Sequence, residues 1–200
     1  FTDFDPKTTE QTLNIAIHTS LEPLFMPVVY ERIHQEAPRA SLVCMALDRN
    51  QMQRQMAAGQ IDIAIDVAQP IGSPIQHMCL SKDPFCVLIN AKHPKAKTLT
   101  KEDYLQAKHI AVSNRPKGTV MEDFELQQQG YVRHIPLRCQ TYQTATQIVA
   151  ISELLLTLPT SIARKYKNEN LWIIDLPFEI SDIETHLYWH ENTEGDVSLE

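Results

Sequence analysis

Two hundred residues, 43% of them hydrophobic, can bury a core as one domain or as two small ones. No apolar run approaches the roughly 18 residues a membrane span needs. The opening Phe1-Thr2-Asp3-Phe4-Asp5-Pro6 has no basic stretch leading into an apolar one, so no signal peptide is expected either. A formal charge of −7 with scattered Lys and Arg excludes this segment as a duplex-binding surface, and its densest basic group, Arg164-Lys165-Tyr166-Lys167, reads as cations closing a helix.

In chain order, residues 1–11 are polar and aperiodic and read as a linker remnant. Leu13–Ile17 is a strand, and Thr19-x-x-Glu22 reads as a capping box opening a helix with Pro23 near its first turn. Leu24, Phe25, Val28, Val29 and Ile33 give that helix an apolar face, and it ends before Pro38. Ser41–Leu47 is a strand. Asp48-x-x-Gln51 starts a helix closed by Gly59, and Ile61–Asp66 is the next strand. This β-α-β-α-β run implies parallel pairing with right-handed crossovers.

Beyond the Val67–Ser73 loop, Ile75–Leu80 is a weak strand. Phe85–Ile89 is a continuous apolar strand, expected to be buried on both faces. Thr100-x-x-Asp103 opens a short helix, His109–Val112 is a strand, and Thr119 reads as the N-cap of a helix closed by Gly130. Val132–Cys139 is extended, with Pro136 marking an edge or a bulge. A helix over Gln143–Ile151, a strand or tight turn at Glu153–Leu158, a helix capped by Thr160, and strands at Leu171–Leu176 and Thr185–His190 complete the chain.

Two of these strands run through polar turns into helix starts, one in each half of the chain. The first turn is His18-Thr19-Ser20 and the second is Ser113-Asn114. A helix N-terminus at the carboxyl end of a parallel strand directs N–H groups and a positive dipole end at whatever lies there. Two such turns suggest a small molecule gripped between two α/β lobes. Against other chemistries, the five glycines form neither G-x-G-x-x-G nor a P-loop, and G-x-S-x-G is missing. Cys44, Cys79, Cys86 and Cys139 read as buried reduced thiols, with a Cys79–Cys86 redox pair as the alternative, and no Cys/His spacing fits zinc. The histidines are scattered and no nucleophile motif appears, so neither a cofactor, a metal nor an enzyme is expected.

Several segments, in order, carry a family resemblance. They are Phe4-Asp5-Pro6, Met26-Pro27, Ala37-Pro38, Met56-Ala57-Ala58-Gly59-Gln60-Ile61-Asp62-Ile63-Ala64-Ile65, His93-Pro94, Leu156-Thr157-Leu158-Pro159 and Leu187-Tyr188-Trp189-His190. Together they make the chain resemble the effector-binding domain of LysR-type transcriptional regulators. The Phe-Asp-Pro opening and late Trp-His are similar to the nodulation-regulator and LeuO-like branch. The resemblance implies an α/β, type 2 periplasmic-binding-protein fold, with two Rossmann-like lobes joined by two crossover strands. Lobe I is then 12–82 plus 183–200, and lobe II is 83–182. The family's N-terminal winged helix-turn-helix has no counterpart in these residues, so the chain is expected to be the sensing half of a longer cytoplasmic regulator. DNA would be met only through that other domain, and homodimers or homotetramers would form through lobe I, with no membrane partner.

The same resemblance, with the turn chemistry, nominates the effector contacts. His18, Thr19 and Ser20 lie at the first turn, with helix capping as the other reading of Thr19 and cleft filling that of His18. Asp66 and Val67 end a strand at the same crevice, where Asp66 either binds a ligand donor or orients a hinge. Asp83 and Phe85 lie at the first crossing. Ser113 and Asn114 end the matching strand of lobe II, and Thr141 and Tyr142 precede a helix, where plain capping is the alternative. Glu22, Asp66 and Asp83 disfavour a multiply charged anion, while Tyr142 and Phe85 suit an apolar or aromatic effector. The competing function is an extracytoplasmic solute-binding protein of the same fold.

Overall fold

The computed structural model describes residues 5–193. Phe4 of the opening motif, the start of the linker remnant and the 194–200 stretch assigned to lobe I lie outside them. The described elements, in order, are β1 (Thr12–Ile17), α1 (Glu22–Glu36), β2 (Ser41–Ala46), α2 (Met52–Ala57), β3 (Ile63–Val67), β4 (Ile75–Asp83), β5 (Phe85–Asn90), α3 (Lys101–Gln106), β6 (Lys108–Val112), α4 (Met121–Gln128), β7 (His134–Cys139), α5 (Tyr142–Val149), β8 (Leu155–Pro159), α6 (Thr160–Tyr166), β9 (Leu171–Asp175) and β10 (Ile183–His190). The chain divides into two compact units. Unit 1 holds residues up to Lys82 and those from Glu184 on, and unit 2 holds residues 83–183.

Unit 1 is built on a five-stranded sheet in the order β2-β1-β3-β10-β4. β1 pairs in parallel with β2 and β3, and β10 runs antiparallel to β3. Both faces are covered. Ile15, Ile17, Leu21 and Ile65 pack on one side with Phe25, Met26 and Val29 of α1. Ala16, Ala64, Ile75 and Tyr188 pack on the other with Met52 and Met56 of α2. Alternation along β1 therefore serves two cores rather than one core and solvent. Gly59 closes α2 at φ +73°, a left-handed conformation that a side chain would strain.

Three local expectations are corrected here. Thr19-x-x-Glu22 forms no capping box: α1 starts after Leu21 without a side-chain cap. The His18 carbonyl accepts from the Leu21 and Glu22 N–H groups, and Pro23 removes another donor, so few orphans remain for a side chain to satisfy. Asp48 likewise does not cap α2; its carboxylate turns back to the Asn50 N–H (3.0 Å). The apolar stripe of α1 is partly buried, with Phe25 and Val29 on the sheet, except for Val28, which is 65% exposed.

Unit 2 has a five-stranded sheet in the order β7-β6-β8-β5-β9. β6 is parallel to β7 and β8, and β5 is antiparallel to β8 and β9. The buried stretch from Phe85 to Ile89 is flanked on both edges, as its unbroken apolar run requires. Pro136 sits on edge strand β7, where the β6 register slips between Lys108 and Ile110, so edge and bulge coincide. Thr100 and Asp103 form the expected capping box of α3. Thr119 does not cap α4, whose N-cap is Val120 with no side-chain bond.

The center of unit 2 is polar. Arg133, with a side chain 0% exposed, forks onto Asp123 at 2.5 and 2.9 Å. It also reaches Glu122 (3.4 Å), the Tyr104 hydroxyl (3.2 Å) and Thr157 (3.3 Å). Burial, with the Asp123 charge adding to it, raises the Glu122 pKa, and the Arg133 charge opposes the shift. Beside this network His109 is fully buried, with Nε2 2.6 Å from the Tyr104 carbonyl and no partner for Nδ1. Desolvation, reinforced by Arg133, lowers its pKa to about 4.

Arg133→Met strands two buried carboxylates and is expected to lower unfolding free energy by about 3–5 kcal/mol, read from urea melts. His109 is neutral when folded and titrates near its ordinary value when unfolded, so its contribution is complete above about pH 6.5. It is lost as pH falls toward about 4, up to about 3 kcal/mol. Urea midpoints measured between pH 7 and 4 should fall more steeply for the wild type than for His109→Gln.

Candidate functional site

The polar residues at the strand ends form separate constellations, one in each unit. In unit 1 the chain leaves β1 at His18, whose backbone N–H still bonds to the Ile65 carbonyl of β3. His18 Nδ1 lies 2.7 Å from Ser20 Oγ and accepts from the Ser20 N–H at 3.2 Å. Those contacts assign the proton to Nε2, which becomes a donor. Burial lowers the His18 pKa, with Asp66 opposing and Arg49 reinforcing, so the ring is held neutral. Thr19 is exposed.

Asp66 ends β3 with a side chain 0% exposed and accepts four hydrogen bonds. Arg49 gives two, from Nε (2.5 Å) and Nη2 (2.8 Å). The Val67 N–H (2.8 Å) and Gln69 Nε2 (3.0 Å) give the others. Its charge is therefore met inside the protein, by an Arg49 side chain that is 47% exposed and whose guanidinium has N–H groups beyond the two bonded to Asp66. The Val67 carbonyl accepts from the Tyr188 hydroxyl (3.2 Å), which itself accepts from the Gln69 N–H (3.0 Å). Sequence reasoning named Asp66 but missed Arg49 and Gln69. A lone Arg beyond a strand carries no motif, and only the buried carboxylate signals that a cation must reach it.

In unit 2 the Ser113 N–H bonds to the Cys139 carbonyl, which brings the ends of β6 and β7 together and with them Ser113, Asn114 and Thr141. Ser113 Oγ accepts from the Arg115 N–H (3.1 Å), and Asn114 is exposed. Arg138 braces the loop behind them through the carbonyls of Arg115 (2.8 Å), Gly118 (2.7 Å) and Lys117 (3.2 Å). Thr141 caps α5 by accepting from the Thr144 N–H. The Tyr142 phenol is held above the usual tyrosine range by burial and by Glu122.

The first-crossing residues stand elsewhere in unit 2. Asp83 accepts from the Ser161 N–H and hydroxyl, securing the first turn of α6, while Phe85 is buried opposite Pro159. A cavity of about 240 Å³ between α5 and the end of α6, lined by residues including Gln143, Gln147 and Tyr166, contains none of the nominated side chains.

The thiol expectation is corrected in part. No disulfide joins the four cysteines, but only Cys86 is buried, and Cys79 is exposed. Burial pushes the Cys86 thiol up to about 11 and raises Cys44 and Cys139 as well.

The fold and these strand-end constellations define a class before any particular relative is considered: paired α/β units of the periplasmic-binding-protein kind. The family model of the LysR substrate binding domain matches residues 6–199, and the chain belongs to that family. It is 23% identical to the HTH-type transcriptional activator NagR of a Ralstonia species over 195 residues, covering 96% of this chain and 65% of NagR. It spans about 54–66% of the length of the curated relatives NagR, SyrM and NahR. Among solved structures, the regulatory domain of MexT from Pseudomonas aeruginosa superposes at TM-score 0.84 with 21% identity, covering 96% of this chain and 94% of that one. The effector-binding domain of BenM with its effector benzoate gives 0.80 at 18%, covering 96% and 88%. These neighbors have the type 2 periplasmic-binding-protein fold, and so does this chain.

Asp66→Asn keeps the shape but drops the charge that fixes Arg49, and it is expected to destabilize the chain by about 1.5–3 kcal/mol. Arg49→Met should be worse, because it leaves a buried carboxylate without its cation. Urea unfolding of the two variants ranks them.

Proposed function

We propose that the chain is the effector-sensing part of a LysR-type transcriptional regulator, and that a small organic effector bound at its strand-end turns shifts the regulator between forms. A ligand shifts only an equilibrium between states it binds differently. The observation that carries the effector assignment is Arg49, its side chain half exposed and fixed by Asp66, near enough to His18 for its charge to act on that ring, at the carboxyl ends of β3 and β1. This is a donor-rich corner in which the Asp66 charge is already neutralized, and it suits a single carboxylate.

His18, Thr19, Ser20 and Val67 frame the carboxylate side in this reading, and Asp66 acts through Arg49. Ser113, Asn114, Thr141 and Tyr142 are the candidate effector contacts of lobe II, and Asp83 and Phe85 those at the first crossing. Benzoate is the effector bound in the BenM domain, which supports an aromatic carboxylate here. The lobes are taken as 12–82 with 183–200, and 83–182. Assembly into a dimer or tetramer runs through lobe I; Met52 and Met56 are core and take no part, while Val28 and Tyr30 on α1 are exposed. DNA is met through a helix-turn-helix outside these residues, in the cytoplasm, and the domain is not catalytic. Among the described residues no helix is long and apolar enough to cross a membrane. The solute-binding alternative is not favored, because the relatives are HTH-type regulators.

The test is thermal shift against a panel of benzoate-class and aliphatic monocarboxylates. A cognate ligand at about 100 times its Kd should raise the midpoint by about 5–10 °C. Ser20→Ala should erase the shift while leaving the ligand-free midpoint nearly unchanged. Arg49→Lys, which keeps a cation for Asp66, should weaken it. A panel with no shift, or a shift that survives both variants, overturns the assignment.

A further inference from the structure

One cluster of ligand-type side chains in unit 1 has no part in the site above. His77 and Cys79 alternate along one face of β4, and Glu184 and His186 do the same on the neighboring β10. The Glu191 N–H to Pro74 carbonyl bond at one end of this pair and the Lys82–Glu184 ion pair at the other set the strands antiparallel. Cys79, Glu184 and His186 each place one ligand atom within 4.8 Å of the others. His186 Nε2 is buried, on a side chain 12% exposed, 3.9 Å from Glu184 Oε2 and without a hydrogen-bond partner. Its other nitrogen, Nδ1, lies 3.0 Å from His77 Nδ1.

We propose that Cys79, Glu184 and His186 bind a divalent ion of the zinc class, with His77 as the residue that positions His186. Two ring nitrogens 3.0 Å apart need one donor and one acceptor. With the proton on His186 Nδ1, Nε2 is a bare lone pair directed toward Glu184, and His77 accepts the outer-shell hydrogen bond that metal-binding imidazoles commonly make. Glu184 divides its oxygens, Oε1 toward Lys82 at 3.4 Å and Oε2 toward His186, which leaves Oε2 for monodentate ligation. A thiolate with an imidazole and a carboxylate favors Zn²⁺ over the hard ions Mg²⁺ and Ca²⁺, and three protein ligands leave one position for water. The exposed Cys79 gives the ion a way in, and its thiol releases a proton on binding. The ion would clamp β4 to β10, the strands by which the chain leaves unit 1 and returns to it. Spacing rules missed this set because its ligands come as alternating pairs from two strands remote in sequence.

The test titrates the untagged, reduced protein with Zn²⁺ by calorimetry and with Co²⁺ by absorption. One equivalent should bind, and Co²⁺ should show a thiolate charge-transfer band. Cys79→Ser should abolish the band, and His186→Gln and Glu184→Gln should weaken binding. Cys44→Ser and Cys139→Ser should change nothing. His77→Phe should keep the band but weaken binding about 10–100-fold, which distinguishes a positioning residue from a ligand. Absence of binding, a band that survives Cys79→Ser, or full affinity in His186→Gln overturns the site. Wild-type affinity in His77→Phe overturns the positioning role.

Discussion

A charge taken out of water has to be met by the protein, and each unit of this chain is arranged around one such charge. In unit 2 it is the Arg133 guanidinium, fully enclosed and shared between Asp123, Glu122, Tyr104 and Thr157. In unit 1 it is the Asp66 carboxylate, enclosed and met by Arg49, Gln69 and the Val67 backbone. The signs are opposite and so are the outcomes. Arg133 draws its anions inward and ties the first turn of α4 to α3 and β8, so the network ends inside the protein. Asp66 draws a cation that is only half covered, so the network ends in donors at the surface.

That difference reshapes the reading of the acidic residues. Counted along the sequence, Glu22, Asp66 and Asp83 argue against a multiply charged anion. In the fold Asp66 is neutralized by Arg49, whereas Asp83 keeps its charge and spends it on the start of α6, accepting from the Ser161 N–H and hydroxyl. What unit 1 offers at its strand ends is the Arg49 fork and the Nε2–H of a neutral His18, with Ser20 fixing the tautomer. Net charge of the chain and local charge of a site are different quantities: the chain carries −7, while the Asp66–Arg49 pair beside a neutral His18 cancels.

Much of the fold was legible because it rests on local signals. The unbroken Phe85–Ile89 run marked a central strand, Thr100 with Asp103 marked a helix start, and Gly59 and Gly130 marked helix ends at positive φ. Capping failed to be legible where backbone geometry replaced the side chain, as at α1, where the His18 carbonyl and Pro23 leave Thr19 nothing to satisfy. The site was legible only in part for a related reason. Turn residues such as His18 and Ser20 announce themselves by following a strand. Arg49 and Gln69 matter through a carboxylate distant in sequence, and His77 and Cys79 matter through partners on β10. Pairing across a sheet leaves no spacing to read along the chain.

Asp66 and His186 are register partners across β3 and β10, so the proposed effector corner and the proposed ion cluster share one end of the same sheet. Their contacts differ in strength. Asp66 accepts four hydrogen bonds from groups fixed by the surrounding backbone, and any shift of Arg49 would expose a buried anion to an unmatched environment. Glu184 is 37% exposed and tied to Lys82 at 3.4 Å, a surface pair of small worth. An arriving cation therefore competes with a loose contact and leaves the buried one intact. Rigidity resides where a ligand's carboxylate would be read, and adaptability resides one strand away. An ion bound as proposed would enter or leave there while Arg49 keeps its aim.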